Sequence, residues 1–301
     1  MIDDDDNETN PASHTVVTTI TNIPKREASN DACMIVIYGD DIGRRIPLTG
    51  AVMVIGRSSK ADVQVDQESV SRNHARIAFD GRRHTVVDLG STNGSYVNDE
   101  LTDGETALRD GDQIKIGRTI FKFITGGNIE VQYHEEIYRL MTMDGLTGVH
   151  NRRYFNESLE KEASRCKRYD RTFSLIVFDI DHFKKINDTH GHLAGDAVLR
   201  QLGSILKGRV RRDDTLARTG GEEFAVILPE IARDGSVALA NKIRDVVERS
   251  VFRFENTEIP VTVSLGVAEW TTEQKEPNDI VKLADEKLYD AKRTGRNRVC
   301  F

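Results

Sequence analysis

Residues Thr215 to Leu228 read TLARTGGEEFAVIL, a Gly-Gly pair followed by two adjacent carboxylates and an apolar run. Glycine reaches positive φ without steric cost, so Gly220 and Gly221 are expected to turn a tight hairpin, and their missing Cβ atoms would let a triphosphate approach the backbone. That turn leaves Glu222 and Glu223 at the mouth of a sheet. Upstream, Ser174 to Lys185 reads SLIVFDIDHFKK, a buried-type strand ending in Asp179 and Asp181, which share a face if the strand continues through them. Carboxylates converging from two strand ends are hard oxygen ligands, the kind that Mg2+ on a nucleoside triphosphate requires. His182, His190 and His192 lie in the same region but suit softer metals, and they are read as bystanders.

A lone GGEEF pentapeptide is ordinarily a hairpin turn with solvated acids. Here it stands among three further motifs: DGLTGVHNRR at Asp144 to Arg153, FDIDHFKKINDTHGHLAGD at Phe178 to Asp196, and ADEKLYDAKRTGRNRV at Ala284 to Val299. In that order, over roughly residues 140 to 301, they closely resemble the GGDEF family of diguanylate cyclases, whose signature accepts Glu at its third position. The resemblance implies an α/β palm-like domain with a mixed, largely antiparallel sheet. It implies condensation of two GTP molecules into cyclic di-GMP with release of pyrophosphate, Mg2+ or Mn2+ as cofactor, and a homodimer in which two GTP-loaded sites face each other.

The implied roles fall residue by residue. Asp179 and Glu222 would be side-chain metal ligands, with the backbone carbonyl of Ile180 as a third. Glu223 would be a further ligand or would help deprotonate the attacking 3'-hydroxyl. Asp181 is as well explained by a structural hydrogen bond as by a ligand role. Guanine presents two donors beside an acceptor, which a carboxylate and a side-chain amide can read, and Asp196 and Asn187 match the family's guanine-binding positions. The bland reading of Asp196 is an acid at a helix N-terminus. Amides at a Phe183–Lys184 turn, the Lys184 side chain, Lys292 and Arg296 would hold phosphates. Arg211 and Asp214 are the ends of an R-x-x-D separated from Gly220 by five residues. That placement matches the family's product-inhibition site for cyclic di-GMP.

From Met34 to Thr125 short runs of Val, Ile, Phe and Thr are punctuated by Gly, Asp and Asn, which predicts an all-β sandwich. Gly56-Arg57, SRNH at Ser71 to His74 and STNGSYVN at Ser91 to Asn98 fall at its loops, and together they resemble a forkhead-associated (FHA) domain, a phosphothreonine-recognition module. A phosphate needs a cationic fork with hydroxyl and amide donors. By resemblance, Arg57, Ser71, Arg72 and Thr92 would contact it, Asn93 would hold the neighbouring peptide backbone, and His74 would brace the loop.

The boundaries that follow are 1–31 for a polar tail, 32–126 for the FHA domain, 127–143 for a linker helix and 144–301 for the cyclase domain. The tail composition predicts disorder when unbound. Its Thr15, Thr18, Thr19 and Thr21, once phosphorylated, are candidate ligands for the FHA loops, beside an external phosphothreonine peptide or protein. After the linker, helices are expected over 154–168, 195–209, 234–249 and 278–292, strands over 173–180 and 259–269, and a hairpin over 215–228. A net charge of -7 gives no basic field for nucleic acid, and no apolar run approaches the ~18 residues of a membrane span, so a cytoplasmic protein is expected. The three cysteines, Cys33, Cys166 and Cys300, are too few and too scattered for a disulfide framework or zinc site and are read as reduced thiols. The competing functional reading is a catalytically silent cyclic di-GMP receptor that scaffolds phosphothreonine signalling.

Overall fold

A computed structural model describes residues 32–125, 129–271 and 273–301. The expectations for the tail, its disorder and its threonine docking, lie outside the described residues. The chain divides into two compact units, Met1–Glu135 and Glu136–Phe301.

In the first unit eleven short strands form two sheets. One runs in the order β2 (Arg45–Pro47), β1 (Cys33–Tyr38), β11 (Thr119–Ile124), β10 (Gln113–Ile116), β7 (Ser95–Val97), β8 (Glu100–Leu101). The other runs β4 (Val63–Gln64), β3 (Val52–Gly56), β5 (Ala75–Phe79), β6 (His84–Asp88), β9 (Glu105–Ala107). Alternating residues of both, among them Met34, Val36, Ile55, Ile77, Val86, Ile114, Phe121 and Phe123, bury into one core. This is the sandwich that period-2 patterning requires. Gly56 ends β3 under the 71–74 loop, where a Cβ would come within 2.1 Å of the Arg72 carbonyl oxygen. Only glycine lets that loop lie on the strand, and this fixes where Arg57 begins.

The second unit is built on β12 (Phe173–Ile180), every residue of which is buried. Its sheet has the order β13 (Thr215–Arg218), β14 (Glu223–Pro229), β12, β17 (Val263–Glu269), β18 (Val299–Cys300), antiparallel throughout except for the β17–β18 pair. Even-numbered residues Ile176, Phe178 and Ile180 face a core closed by α4 (His192–Lys207) and α5 (Arg233–Arg249). Leu175 and Val177 face the other core, under α2 (Arg152–Tyr169) and α6 (Pro277–Arg293). A strand buried on both faces is why its sequence reads as a near-continuous apolar run rather than an alternation. Asn151 caps α2 by accepting from Tyr154 N at 2.9 Å, and Pro277 opens α6 at a position where its missing N–H is not needed. Gly266 of β17 would place a Cβ 2.1 Å from the Ala284 carbonyl, so α6 rests directly on the sheet backbone.

Three expectations are corrected here. The helix expected over 195–209 is α4, which starts three residues earlier, and an unexpected helix, α3 (Phe183–His190), precedes it, set apart by Gly191 at a φ of 85° that no helix tolerates. The strand expected over 259–269 is β17, which starts only at Val263, and an unexpected hairpin of β15 (Phe252–Phe254) and β16 (Thr257–Ile259) precedes it. Neither Gly220 nor Gly221 takes a positive φ. The linker helix is present as α1 (Ile129–Thr142). Among the described residues no helix is long and apolar enough to cross a membrane, and all three cysteines are free thiols.

Candidate functional site

The antiparallel register sets Asp179 opposite Glu223 on one side and Ser264 on the other. Asp179 is 7% exposed, and its carboxylate meets Lys292 Nζ at 2.9 Å. Burial pushes its pKa up from 3.8 to about 6; the Lys292 hydrogen bond and charge oppose this, and the charges of Glu222 and Glu223 add to it. A buried acid beside two others, neutralised in part by one ammonium, is a site short of positive charge. Among the described residues no three His, Cys, Asp or Glu side chains already converge on one point. The set fits Mg2+ or Mn2+ bound in the usual way for such hard cations, through one or two carboxylates with the remaining positions left to phosphate and water.

The glycines of the turn act sterically rather than through φ. Thr219 N and Gly220 N both donate to the Glu223 carbonyl, at 2.9 and 3.4 Å, which folds the loop back on itself. A Cβ on Gly220 would lie 2.3 Å from Glu223 Oε2, whereas one on Gly221 would meet nothing within 4 Å. The loop has an anchor that the sequence reading missed. Arg218 donates to the Gly221 carbonyl from Nε at 2.9 Å and Nη2 at 2.6 Å, and its Nη1 reaches both oxygens of Asp144 at 3.2 and 3.3 Å. Asp144 also accepts from the Thr147 amide and hydroxyl. Burial alone would raise its pKa, but those bonds, with Arg218, hold it below the ordinary range. The readable signal was a lone arginine two residues before Gly-Gly with an acid in DGLTG.

β12 stops at Ile180, and the Asp181 carboxylate just beyond it is taken up by structural hydrogen bonds. Its oxygens accept from Thr262 Oγ1 at 2.8 Å, Ser264 Oγ at 2.7 Å and Asn297 N at 3.0 Å. Phe183 and Lys184 form no turn; they are the first residues of α3, ahead of the helix's first bonds, which run from Lys185 N and Ile186 N to the His182 carbonyl. Their amides therefore stand where a helix start leaves donors without intrahelical partners. Asn187 and Asp196 are brought together across the α3–α4 corner. A Cβ on Gly195 would come within 1.9 Å of Asn187 Oδ1, so the Asn187 amide lies against the α4 backbone one residue from Asp196. Asp196 sits beyond the first turn of α4, which contains no acid, so the helix-terminus reading of this residue loses its basis.

Lys292 is the penultimate residue of α6, and Arg296 lies exposed in the segment just beyond it. Between α2 and α6 a cleft of 360 Å³, lined by Arg152, Asn156, Glu223, Asp285, Tyr289 and Lys292 among others, opens beside the carboxylates. Sequence reasoning did not foresee it. Burial, then the Glu223 charge, raises the Asp285 pKa. Arg211 and Asp214 form a tight turn of their own, with Arg211 N donating to Asp214 Oδ2 at 2.7 Å. Burial raises the Asp214 pKa, and the Arg211 amide opposes it. The turn leads into β13, which at ~3.3 Å per residue separates it from the Gly-Gly loop by about 13 Å.

In the first unit, the loops that carry Arg57, Ser71, Arg72, Thr92 and Asn93 are tied together. Arg57 N donates to the Ser71 carbonyl at 2.9 Å, and Thr92 N to Ser71 Oγ at 3.2 Å. Asn93 Nδ2 holds the Ser69 carbonyl at 2.7 Å. Buried His74 accepts from Ser71 N at Nδ1, which places its proton on Nε2, 3.1 Å from the Gly94 carbonyl. Asp88 accepts from Ser91 and Ser95 beneath the second loop. Arg72, Thr92 and Asn93 remain exposed at the rim.

These geometries define a two-module chain, a β-sandwich with braced polar loops and an α/β domain with acids at two strand ends. Residues 141–298 match the family model described as diguanylate cyclase, GGDEF domain, and residues 53–117 match the FHA domain. The chain belongs to the GGDEF family of diguanylate cyclases. It is 47% identical over 162 residues to the uncharacterized protein YhcK of Bacillus subtilis, covering 52% of this chain and 45% of that one. It is 42% identical over 158 residues to the probable diguanylate cyclase DgcT of Escherichia coli, covering 52% and 34%. The chain thus spans less than half the length of these relatives. Among solved structures, the coiled coil and GGDEF domain of DgcB from Caulobacter crescentus, in complex with c-di-GMP, is similar at 35% identity with a TM-score of 0.54, over 56% of this chain and 90% of that one.

Proposed function

We propose that the protein condenses two GTP molecules into cyclic di-GMP, under control of phosphothreonine recognition by its FHA domain. The observation that carries this reading is the buried Asp179, opposite Glu223 and bridged to Lys292, in a site short of positive charge. Asp179, Glu222 and the Ile180 carbonyl would hold Mg2+ or Mn2+, and Glu223 is a further ligand or the group that receives the hydroxyl proton. When bound, the ion would supply charge neutralisation on phosphate oxygens.

The chain's own residues do the rest. Asp196 and Asn187 read the guanine edge, which favours GTP over ATP. The amides of Phe183 and Lys184 and the side chains of Lys184, Lys292 and Arg296 take the phosphates. Lys292 exchanges Asp179 for phosphate as substrate arrives, which frees the carboxylate for coordination. The 3'-hydroxyl of one GTP attacks the α-phosphate of the other, pyrophosphate leaves in line, and a second such step closes the ring. Each site holds one GTP, so two copies face each other in a homodimer. Arg211 and Asp214 take product guanine and slow the reaction. In the FHA loops, Arg57, Ser71, Arg72 and Thr92 take the phosphate of a phosphothreonine and Asn93 its backbone; the Ser71 hydroxyl already accepts from Thr92, which leaves its proton to donate. Chromatography of the products from GTP and Mg2+ tests the reading. The parent should release cyclic di-GMP and the Glu222→Gln variant should lose at least a hundredfold in rate. A parent that binds cyclic di-GMP and turns over no GTP would make the chain a silent receptor instead.

A further inference from the structure

The segment after α6 runs through three consecutive left-handed conformations, with φ of 122° at Gly295, 60° at Arg296 and 46° at Asn297. Glycine takes such angles freely and asparagine tolerates them, but arginine holds them only where its surroundings over-determine the backbone. The surroundings do so through the next residue. From inside, buried Asp181 accepts Asn297 N at 3.0 Å while Thr262 and Ser264 fix the same carboxylate at 2.8 and 2.7 Å. From outside, Glu248 Oε1 accepts Asn297 Nδ2 at 2.7 Å, and Arg244 Nη1 donates to Asn297 Oδ1 at 3.3 Å and to Glu248 Oε2 at 2.9 Å. Every polar atom of the Asn297 side chain is thereby engaged with α5. The Asn297 amide, then Arg244, holds the Glu248 carboxyl below its ordinary range. Among the described residues, Arg296 itself is tied only by its backbone, N to the Ala291 carbonyl at 3.0 Å and O from Arg298 Nε at 3.1 Å.

We infer that Asn297, gripped by Asp181 on one side and by Glu248 and Arg244 on the other, is the positioning residue that fixes where Arg296 presents its guanidinium to the triphosphate. The inference rests on the reading of Arg296 as a phosphate-holding group. It gives Asp181, the second acid of the FDIDHF motif, a function through backbone geometry. It also extends the determinants of GTP affinity to α5, whose Glu248 is exposed and touches no residue assigned to catalysis.

Steady-state kinetics of the full chain test it, with KM and kcat for GTP measured beside the Ki of guanosine, which carries the base and no phosphate. Arg296→Ala sets the scale. Asn297→Ala should raise KM for GTP about tenfold, and Glu248→Ala about threefold to fivefold, each with kcat within about twofold of the parent and guanosine Ki unchanged. Glu248→Gln keeps an acceptor oxygen for the Asn297 amide and should restore KM to near the parent value. Thermal unfolding of each variant separates folding defects from these effects, and the exposed Glu248 variants keep the test open if Asn297→Ala folds poorly. A raised KM in Arg296→Ala with parental values in Glu248→Ala and Asn297→Ala would overturn the inference alone. Weakening of GTP and guanosine by equal factors would reduce Asn297 to a structural residue and overturn it too. An unchanged KM in Arg296→Ala would refute the phosphate assignment on which it rests.

Discussion

Replacing Asp179 by the isosteric amide should abolish turnover and, in the absence of metal, stabilise the cyclase domain. The carboxyl is raised from 3.8 to about 6, mainly by burial. At ~1.4 kcal/mol per pH unit that difference corresponds to about 3 kcal/mol of native-state cost at neutral pH. Lys292 is one-third exposed, so solvent screening and the loss of its partner reduce the net gain to about 1–2 kcal/mol. For a domain of this size that is a rise of about 2–8 °C in Tm. The folded state binds this proton more tightly than the unfolded state. The contribution of this group is therefore fully present below pH 3.8 and is lost as pH rises through about 6, a slope that Asp179→Asn lacks. Melting curves of both proteins in EDTA at pH 4.5, 5.5, 6.5 and 7.5 should show the difference opening with pH and levelling off near neutrality. Added Mg2+ and GTP should then raise the Tm of the parent alone. A variant that is less stable at pH 7.5, or a gain that is the same at every pH, would refute the argument that burial without sufficient counter-charge is what raises this group.

Other expectations follow from single contacts. Gly220→Ala should displace Glu223 and cut activity at least tenfold, whereas Gly221→Ala should leave the fold and its Tm unchanged within about 1 °C; equal effects of the two would remove the steric account of the turn. Arg211→Ala should relieve product inhibition while initial rates stay near those of the parent, and calorimetry showing undiminished cyclic di-GMP binding would contradict that assignment. Peptides spanning the tail and phosphorylated singly at Thr15, Thr18, Thr19 or Thr21, or an external phosphothreonine peptide, should bind the full chain at least tenfold more weakly after Arg57→Ala. Binding that ignores the phosphate would exclude the proposed FHA role.

The sequence was legible where periodicity and burial agree. Val198 and Leu202 on α4, and Ala240, Ile243 and Val247 on α5, form the stripes their spacing predicts, and all are buried. It failed at α3, an eight-residue element with two adjacent lysines, whose helical signal is confined to Phe183 and Ile186 three apart. It failed again at the β15–β16 hairpin, where Glu255 turns the chain at a φ of 52°, an angle that glutamate seldom adopts, and Asn256 beside it is the lone turn-type residue between two three-residue strands. At the site, motif spacing named Asp179, Glu222 and Lys292, but composition cannot report which charge neutralises which. The Lys292–Asp179 pair, the Arg218 anchor and the cleft between α2 and α6 each depend on residues far apart in the chain and become visible only once the sheet register is set.

The ends of the central sheet of the cyclase domain are both poor templates for another strand. On one side β13 already meets His150 in a parallel bridge, with His150 N donating to the Leu216 carbonyl at 3.0 Å and Arg218 N to the His150 carbonyl at 2.8 Å. On the other side β18 is two residues long. Edge-to-edge growth, the usual route by which exposed sheets recruit copies of themselves, therefore has little to hold. The proposed reaction, in which two GTP-loaded copies face each other, would benefit from this. Encounters are left to loops and helix faces, where contacts are reversible, and crowding the protein should raise its output without driving it into aggregates.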